Sequence, residues 1–327
     1  MKRRQWLQAA AASTAWPTLW QPAQAQDSAP IRILCGFPPG GLTDLVARLF
    51  ADKLRAELNQ PVVVENKPGA GGRLAALALK AAAPDGRTLL IAPNSMPVFT
   101  EILYPRKTLD YDMLSDWTPV GTLCTYPFGM VVQRSLGVAN VREYIARVKA
   151  QPKDAMVGNA GAGGQAHFAS VQLGMAAGLE LLAVPYKGNG PLSVDLIGGQ
   201  VPAAVLPAAD LMQHRANPKL QILGVFENER SPLIPDVPTF AEQGLKFEVG
   251  RAWMGMWAPA RAPRAEVARV EAGLRNILRD PAFRETLQTR FTMAPMWSSA
   301  ADTDRLQRQE LALWRPIIQA TGFRPES

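Results

Sequence analysis

Two glycine-rich stretches are the places where this sequence is best equipped for chemistry. Phe37-Pro38-Pro39-Gly40-Gly41-Leu42-Thr43-Asp44 lies between an apolar run and a helical pattern. Gly158-Asn159-Ala160-Gly161-Ala162-Gly163-Gly164-Gln165-Ala166-His167 repeats that logic in the second half. Glycines let a backbone approach a ligand closely. A helix that starts just beyond them offers unpaired N–H groups and a partial positive charge. Such a loop can bind a carboxylate without any arginine. The first spacing is neither the dinucleotide pattern G-x-G-x-x-G nor a phosphate loop with its Lys-Ser/Thr. The plainer reading of that loop is a tight connection with Thr43 or Asp44 as the helix N-cap. Two such loops, one in each half, would face each other at the carboxyl ends of strands, where α/β proteins bind ligands.

Other polar residues fall near the same strand ends. Asn94 and Ser95 follow the third strand-like run, so their tips can reach a cleft. His167 can donate to a ligand or to its own loop, or can tie the helix start to a carbonyl. Lys187, in Tyr186-Lys187-Gly188, pairs with an anion or is a solvated loop residue; Asp195 holds a water or an amine, or caps a turn. Trp253 and Trp257 flank Gly255 in an apolar run and read as core. No catalytic constellation accompanies them: there is no G-x-S-x-G elbow, no H-E-x-x-H and no cysteine with a partnered histidine. A hydrolase built on Ser95 would need His167 or His214 as its base, and the His214 context reads as an exposed helix end. Two cysteines and two histidines give no zinc spacing, so no metal site is expected. Cys35 and Cys124 lie in apolar strand-like contexts. An oxidising compartment would permit a disulfide between them, and two buried free thiols are the alternative.

The elements that must carry these loops alternate. Ile31–Phe37, Pro61–Glu65 and Thr88–Ala92 read as strands, with Leu45, Val46, Leu49, Phe50 and Leu54 at helical spacing and an alanine-rich helix over Leu74–Ala82 between them. This βαβαβ order predicts a parallel sheet with helices on both faces. The second half repeats it: strands at Thr118–Leu123, Gly129–Gln133, Met156–Gly158, Leu181–Pro185, Val201–Leu206 and Leu220–Val225, helices over Val141–Ala150 and His167–Ala177. From about Pro263 a pair of amphipathic helices is expected, one marked by Val267, Val270, Leu274, Ile277 and Leu278, the other by Leu306, Leu311, Leu313, Ile317 and Ile318.

The first 25 residues read as a cleavable export signal. Lys2, Arg3 and Arg4 form a positive start, Leu7–Trp20 carries no charge, and Ala23-Gln24-Ala25 is a small-x-small cleavage site. The apolar run is shorter than the roughly 20 residues that span a bilayer. Arg3-Arg4-Gln5-Trp6-Leu7 also resembles a twin-arginine signal. The formal charge is +7, of which the signal supplies three positive residues. The remaining balance suits anionic solutes and is too scattered for nucleic acid. At 327 residues and 47% hydrophobic content, the chain is large enough for two lobes.

The residues also carry a resemblance. Phe37-Pro38-Pro39-Gly40-Gly41-x-Thr43-Asp44-x-x-Ala47-Arg48 is similar to the opening motif of the Bug-type receptors of tripartite tricarboxylate transporters. Pro61-Val62-Val63-Val64-Glu65-Asn66-Lys67-Pro68-Gly69-Ala70-Gly71-Gly72 resembles the next signature. Ala83-Pro84-Asp85-Gly86, Val184-Pro185-Tyr186-Lys187-Gly188, Asp195-Leu196-x-Gly198-Gly199-Gln200-Val201 and Arg230-Ser231-Pro232 through Thr239 follow in order.

The resemblance implies an α/β, two-lobe periplasmic binding protein of the type II, flytrap kind, each lobe a mainly parallel sheet flanked by helices. Residues 26–127 and 249–327 would form one lobe and 128–248 the other. It implies a monomer without cofactor that is not an enzyme. It would bind a small carboxylate and pass it to a membrane permease of the tripartite type, or present it to a sensor kinase. The positions carried over are Pro39, Gly40, Gly41, Asp44, Ala160, Gly161, Gly163, Gly164 and Asp195. Phe37, Thr43, Asn94, Ser95, Gln165 and His167 complete the candidate set. The chain departs from the family where serines usually stand. Its second loop reads Asn159-Ala160-Gly161-Ala162-Gly163-Gly164, and Pro93-Asn94-Ser95-Met96-Pro97 follows the third strand. These losses of hydroxyl donors point toward a less polar carboxylate.

Overall fold

The computed structural model describes residues 29–245 and 250–325; the export signal expected over residues 1–25 lies outside them. The chain begins with β1 (Ile31–Cys35), α1 (Leu42–Leu58), β2 (Val62–Asn66), α2 (Arg73–Lys80) and β3 (Thr88–Pro93). β1 pairs in parallel with both β2 and β3. All six residues of β3 are buried, as a strand covered on both faces requires. A π-helical stretch, Ser95–Thr100, leads through α3 (Glu101–Leu103) and α4 (Arg106–Leu109) to β4 (Trp117–Tyr126).

The chain then enters a second sheet. Its elements are β5 (Phe128–Gln133), α5 (Val141–Ala150), β6 (Met156–Asn159), α6 (Gln165–Ala177), β7 (Leu182–Pro185), α7 (Asn189–Gly198), β8 (Ala203–Pro207), α8 (Ala208–His214) and β9 (Leu220–Val225). It returns through β10 (Ala252–Pro259), α9 (Arg264–Arg279), α10 (Pro281–Phe291), β11 (Ala294–Ser298) and α11 (Ala300–Ala320). The strand orders are β11-β4-β10-β3-β1-β2 and β7-β6-β8-β5-β9. The architecture is two α/β lobes.

Both sheets are mixed rather than mainly parallel. β10 runs antiparallel to β3 and β4, β11 antiparallel to β4, and β5 antiparallel to β8 and β9. Apolar patterning reports burial and not strand direction, so the sequence could not separate the two. The return strand is buried along its whole length. A Cβ on Gly255 would stand 2.8 Å from the Trp257 ring and 3.0 Å from the Trp253 ring, so both indoles fold over a position that tolerates no side chain.

The C-terminal region holds three longer helices and a strand, not a helix pair. The α9 stripe Val267, Val270, Leu274, Ile277 and Leu278 is buried as expected. The buried stripe of α11 differs: it runs through Thr303, Gln307, Glu310, Leu311, Trp314 and Ile318. Leu306, Leu313 and Ile317 only flank it. Polar residues occupy the inner face of α11 because each meets a polar partner: Thr303 the Thr122 hydroxyl, Gln307 the Pro97 carbonyl and Glu310 the Asn94 amide.

Cys35 and Cys124 are free and buried. They sit on β1 and β4, with β3 and β10 between them. Three strand spacings of about 4.8 Å put them roughly 14 Å apart, which excludes a disulfide.

Candidate functional site

The first loop joins β1 to α1. Gly40 takes a positive φ of 80° and Gly41, in extended conformation, is the N-cap of α1. The cap is therefore neither Thr43 nor Asp44. Asp44 lies in the first helical turn, almost fully buried, and reaches back to the loop. Its Oδ2 accepts from the Gly40 amide at 2.9 Å and from Arg48 Nε at 3.0 Å. Its Oδ1 accepts from Asn66 Nδ2 at 2.8 Å, and Asn66 also donates to the Phe37 carbonyl at 3.1 Å. Burial by itself would raise the Asp44 pKa. Hydrogen bonds from Arg48, Gly40 and Asn66 outweigh it and hold the carboxyl below its usual range. Asp44 thus ties helix, loop and β2 together as a carboxylate. Thr43 is buried beside it, Phe37 is half-buried, and Pro39, Gly40 and Gly41 are exposed.

The second loop joins β6 to α6 on the same plan. Gly164 is the extended N-cap, and Gly161 and Gly163 take φ values of 114° and 77°. The Gly163 amide donates to His167 Nδ1 at 3.0 Å. His167 therefore ties the helix start to an amide N–H, where a bond to a carbonyl was expected. Nδ1 must be unprotonated to accept, and burial lowers the His167 pKa, so the ring is neutral. It lies between Phe168, stacked at 4.9 Å between centroids, and Phe323, edge-on at 4.6 Å. Space beside the glycines differs. A Cβ on Gly40, Gly161 or Gly164 would meet nothing within 4 Å, whereas one on Gly163 would lie 2.5 Å from Leu103 of the other lobe. Ala160 is exposed at the start of this loop.

Three buried polar side chains, Asn94 and Glu310 of one lobe and Gln165 of the other, meet at the junction of the lobes. Asn94 Nδ2 donates to Gln165 Oε1 at 3.0 Å and to Glu310 Oε2 at 3.1 Å. Gln165 Nε2 in turn donates to the Gly250 carbonyl at 2.9 Å. All three residues are buried. Burial raises the Glu310 pKa, against the opposing hydrogen bond from Asn94. The Phe99 ring stacks on Phe168 of the other lobe at 5.8 Å and tilts against Trp314 at 4.8 Å. Met96, just after Asn94 and Ser95, wedges against the first loop: its Cε would be 2.4 Å from a Cβ on Gly72 and 3.2 Å from one on Gly36. Asp195 stands apart from this junction, on α7, and accepts from Tyr186 Oη at 3.0 Å.

The structure therefore joins Gly40 to Asp44, Gly163 to His167, and Asn94 to Gln165. Sequence reading missed Asn66, Met96, Asn159, Glu310 and Phe323. Asn66 and Asn159 stood inside the glycine-rich signatures and could have been found there. Glu310 gave no local signal, because a glutamate in an amphipathic helix reads as solvent-facing. Among the described residues no group of three or more His, Cys, Asp or Glu could hold a metal. No helix there is long and apolar enough to cross a membrane.

Residues 46–323 match the model of the tripartite tricarboxylate transporter family receptor. The chain belongs to that receptor family. The receptor is 31% identical to the protein BugT of Bordetella pertussis over 92% of its own length and 91% of that protein. Solved structures agree in fold. The periplasmic binding protein BugD is 29% identical, with a TM-score of 0.81 over 91% of this chain and 99% of that one. MatC from Rhodopseudomonas palustris with bound malate is 28% identical, with a TM-score of 0.79 over 89% and 99%. Rpa4515 of R. palustris with adipate is 26% identical, with a TM-score of 0.84 over 91% and 99%. The family is one of solute-binding receptors, which sets aside the hydrolase reading.

Proposed function

We propose that this receptor works in the periplasm, after cleavage of residues 1–25, and captures a small carboxylate between its lobes for a membrane permease of the tripartite type. The observation that carries the reading is the pairing of two glycine loops, each following a parallel strand and each opening a helix. Gly40, Gly161 and Gly164 look onto open space, so α1 and α6 can present N–H groups and positive dipole ends to an anion. The malate and adipate bound by MatC and Rpa4515 support the ligand class. The contact set is Phe37, Pro39, Gly40, Gly41 and Thr43 from the first loop. Ala160, Gly161, Gly163 and Gly164 come from the second, with Asn94, Ser95 and Gln165 between them. Asp44, His167 and Asp195 support the set, since each is already engaged by its own lobe.

Residues 26–127 and 249–327 move as one lobe and 128–248 as the other. A ligand that touches both lobes only when they are closed shifts the population toward closure. The test is thermal unfolding of the mature protein with a panel of small carboxylates and their amides. A ligand at 100 times its dissociation constant adds about 2.7 kcal/mol. Stabilisation by an acid and not by its amide supports the reading. Equal stabilisation by both, or by neither across the panel, overturns it.

A further inference from the structure

Asn159 ends β6 and is wholly buried. Its carbonyl is fully used, accepting from the amides of Gly161 at 2.9 Å and Tyr186 at 2.8 Å. Its side chain is not used at all. Neither Nδ2 nor Oδ1 has a hydrogen-bond partner among the described residues. Leaving both ends of a buried amide unpaired is costly, and native proteins rarely do so without a reason. The buried amides of the junction behave differently, since Asn94 bonds to Gln165 and Glu310, and Gln165 to the Gly250 carbonyl.

The direction of the Asn159 side chain follows from strand alternation. A Cβ on Gly158 would meet Leu192 at 2.3 Å and Tyr186 at 3.3 Å, so that residue faces α7. Asn159 shares the opposite face with Val157, which packs in the cluster holding Phe168, Ala169 and Leu173 of α6. The amide therefore lies on the α6 side of the sheet, at the carboxyl end of a parallel strand, with residues 160–164 between it and the start of the 13-residue helix that follows the glycines.

We infer that Asn159 is the specificity-determining side chain of the site, and that it selects a carboxylate carrying a hydroxyl on the adjacent carbon. This rests on the carboxylate reading above and deepens it. Nδ2 needs an acceptor, which the carboxylate supplies. Oδ1 needs a donor, which a carboxylate cannot supply and a neighbouring hydroxyl can. An ammonium group would satisfy Oδ1 as well, but its charge needs a free acid. Asp195 stands on α7, apart from the junction, Glu310 has its pKa raised by burial and accepts from Asn94, and His167 is neutral with Nδ1 occupied. The inference opposes the less polar ligand that the missing serines suggested: the amide replaces a lost hydroxyl with a donor and an acceptor together.

Calorimetric titration of the wild-type protein and Asn159→Ala tests this with matched acids: lactate and propionate, malate and succinate, 2-hydroxyglutarate and glutarate, mandelate and phenylacetate. The wild type is expected to bind the hydroxylated member of at least one pair about tenfold more tightly. Asn159→Ala should bring that ratio to within about twofold. Its ligand-free melting temperature should be unchanged or higher, because the substitution removes an unpaired buried amide. A crystal structure with the preferred acid should place its hydroxyl within hydrogen-bond distance of Asn159 Oδ1. Wild-type protein that binds acids but does not prefer the hydroxylated member overturns this inference alone. So does an Asn159→Ala variant that keeps the preference, or one whose only effect is a lower ligand-free melting temperature. Wild-type protein that binds no acid of the panel overturns the carboxylate reading itself.

Discussion

Replacing Asp44 by Asn separates a residue that shapes the site from one that touches the ligand. The carboxylate accepts hydrogen bonds from Gly40 and Arg48 Nε on Oδ2 and from Asn66 on Oδ1, where Arg48 Nη2 adds an ion pair at 3.0 Å. An amide turns one of those oxygens into a donor facing two donors. The bond lost from a buried neutral donor to a charged acceptor is worth about 1.5–3 kcal/mol. The Arg48 contacts add less, since that guanidinium is half-exposed and an exposed pair contributes about 0–1 kcal/mol. Asp44→Asn should therefore cost about 2–4 kcal/mol, and lower the melting temperature by about 3–6 °C. Arg48→Ala should cost less than about 1 kcal/mol. The pH dependence has a definite sign. The folded pKa of Asp44 lies below its unfolded value, so its contribution is present above about pH 4 and fades as pH falls through the folded pKa. The gap between wild type and Asp44→Asn, measured by urea unfolding, should close in acid. An Asp44→Asn protein as stable as wild type at pH 7 but unable to bind would refute the reasoning, because Asp44 would then be a ligand contact and not a tether.

Glu310→Gln keeps an acceptor for Asn94 while removing a buried charge. Wild-type Glu310 has a raised folded pKa, so the stability it gives is present below its unfolded pKa and is lost as pH rises through the folded one. Glu310→Gln should flatten that decline and match or exceed wild type at pH 8 in urea titrations. Gly36→Ala puts a Cβ 2.7 Å from the Gly72 Cα, a backbone contact that cannot yield by rotamer change. It should cost about 1–3 kcal/mol in the same measurement. Cys35 and Cys124 should resist a thiol reagent in the folded protein and react only in denaturant. Burial raises their pKa to about 11 and about 12, leaving almost no thiolate at pH 8.

The sequence by itself determined the alternation of strands and helices, the two glycine loops at strand ends, and the family. These are local or ordered signals. A strand run, a turn that only glycine fits and a helix start are each written within about ten residues. The α9 stripe was legible because apolar residues recur there at helical period. What only the tertiary structure decided involves partners far apart in the chain. Strand direction in β10 and β11 depends on which neighbour each meets, and hydrophobic pattern is the same either way. The separation of Cys35 from Cys124 follows from two strands inserted between them. Asp44 became a tether because Asn66, 22 residues on, turned toward it. Asn94 met Glu310 across 216 residues. The Asn159 side chain was left with neither donor nor acceptor partner among the described residues. Polar side chains are read by what surrounds them, and for these residues the surroundings come from elements that lie far apart in the chain.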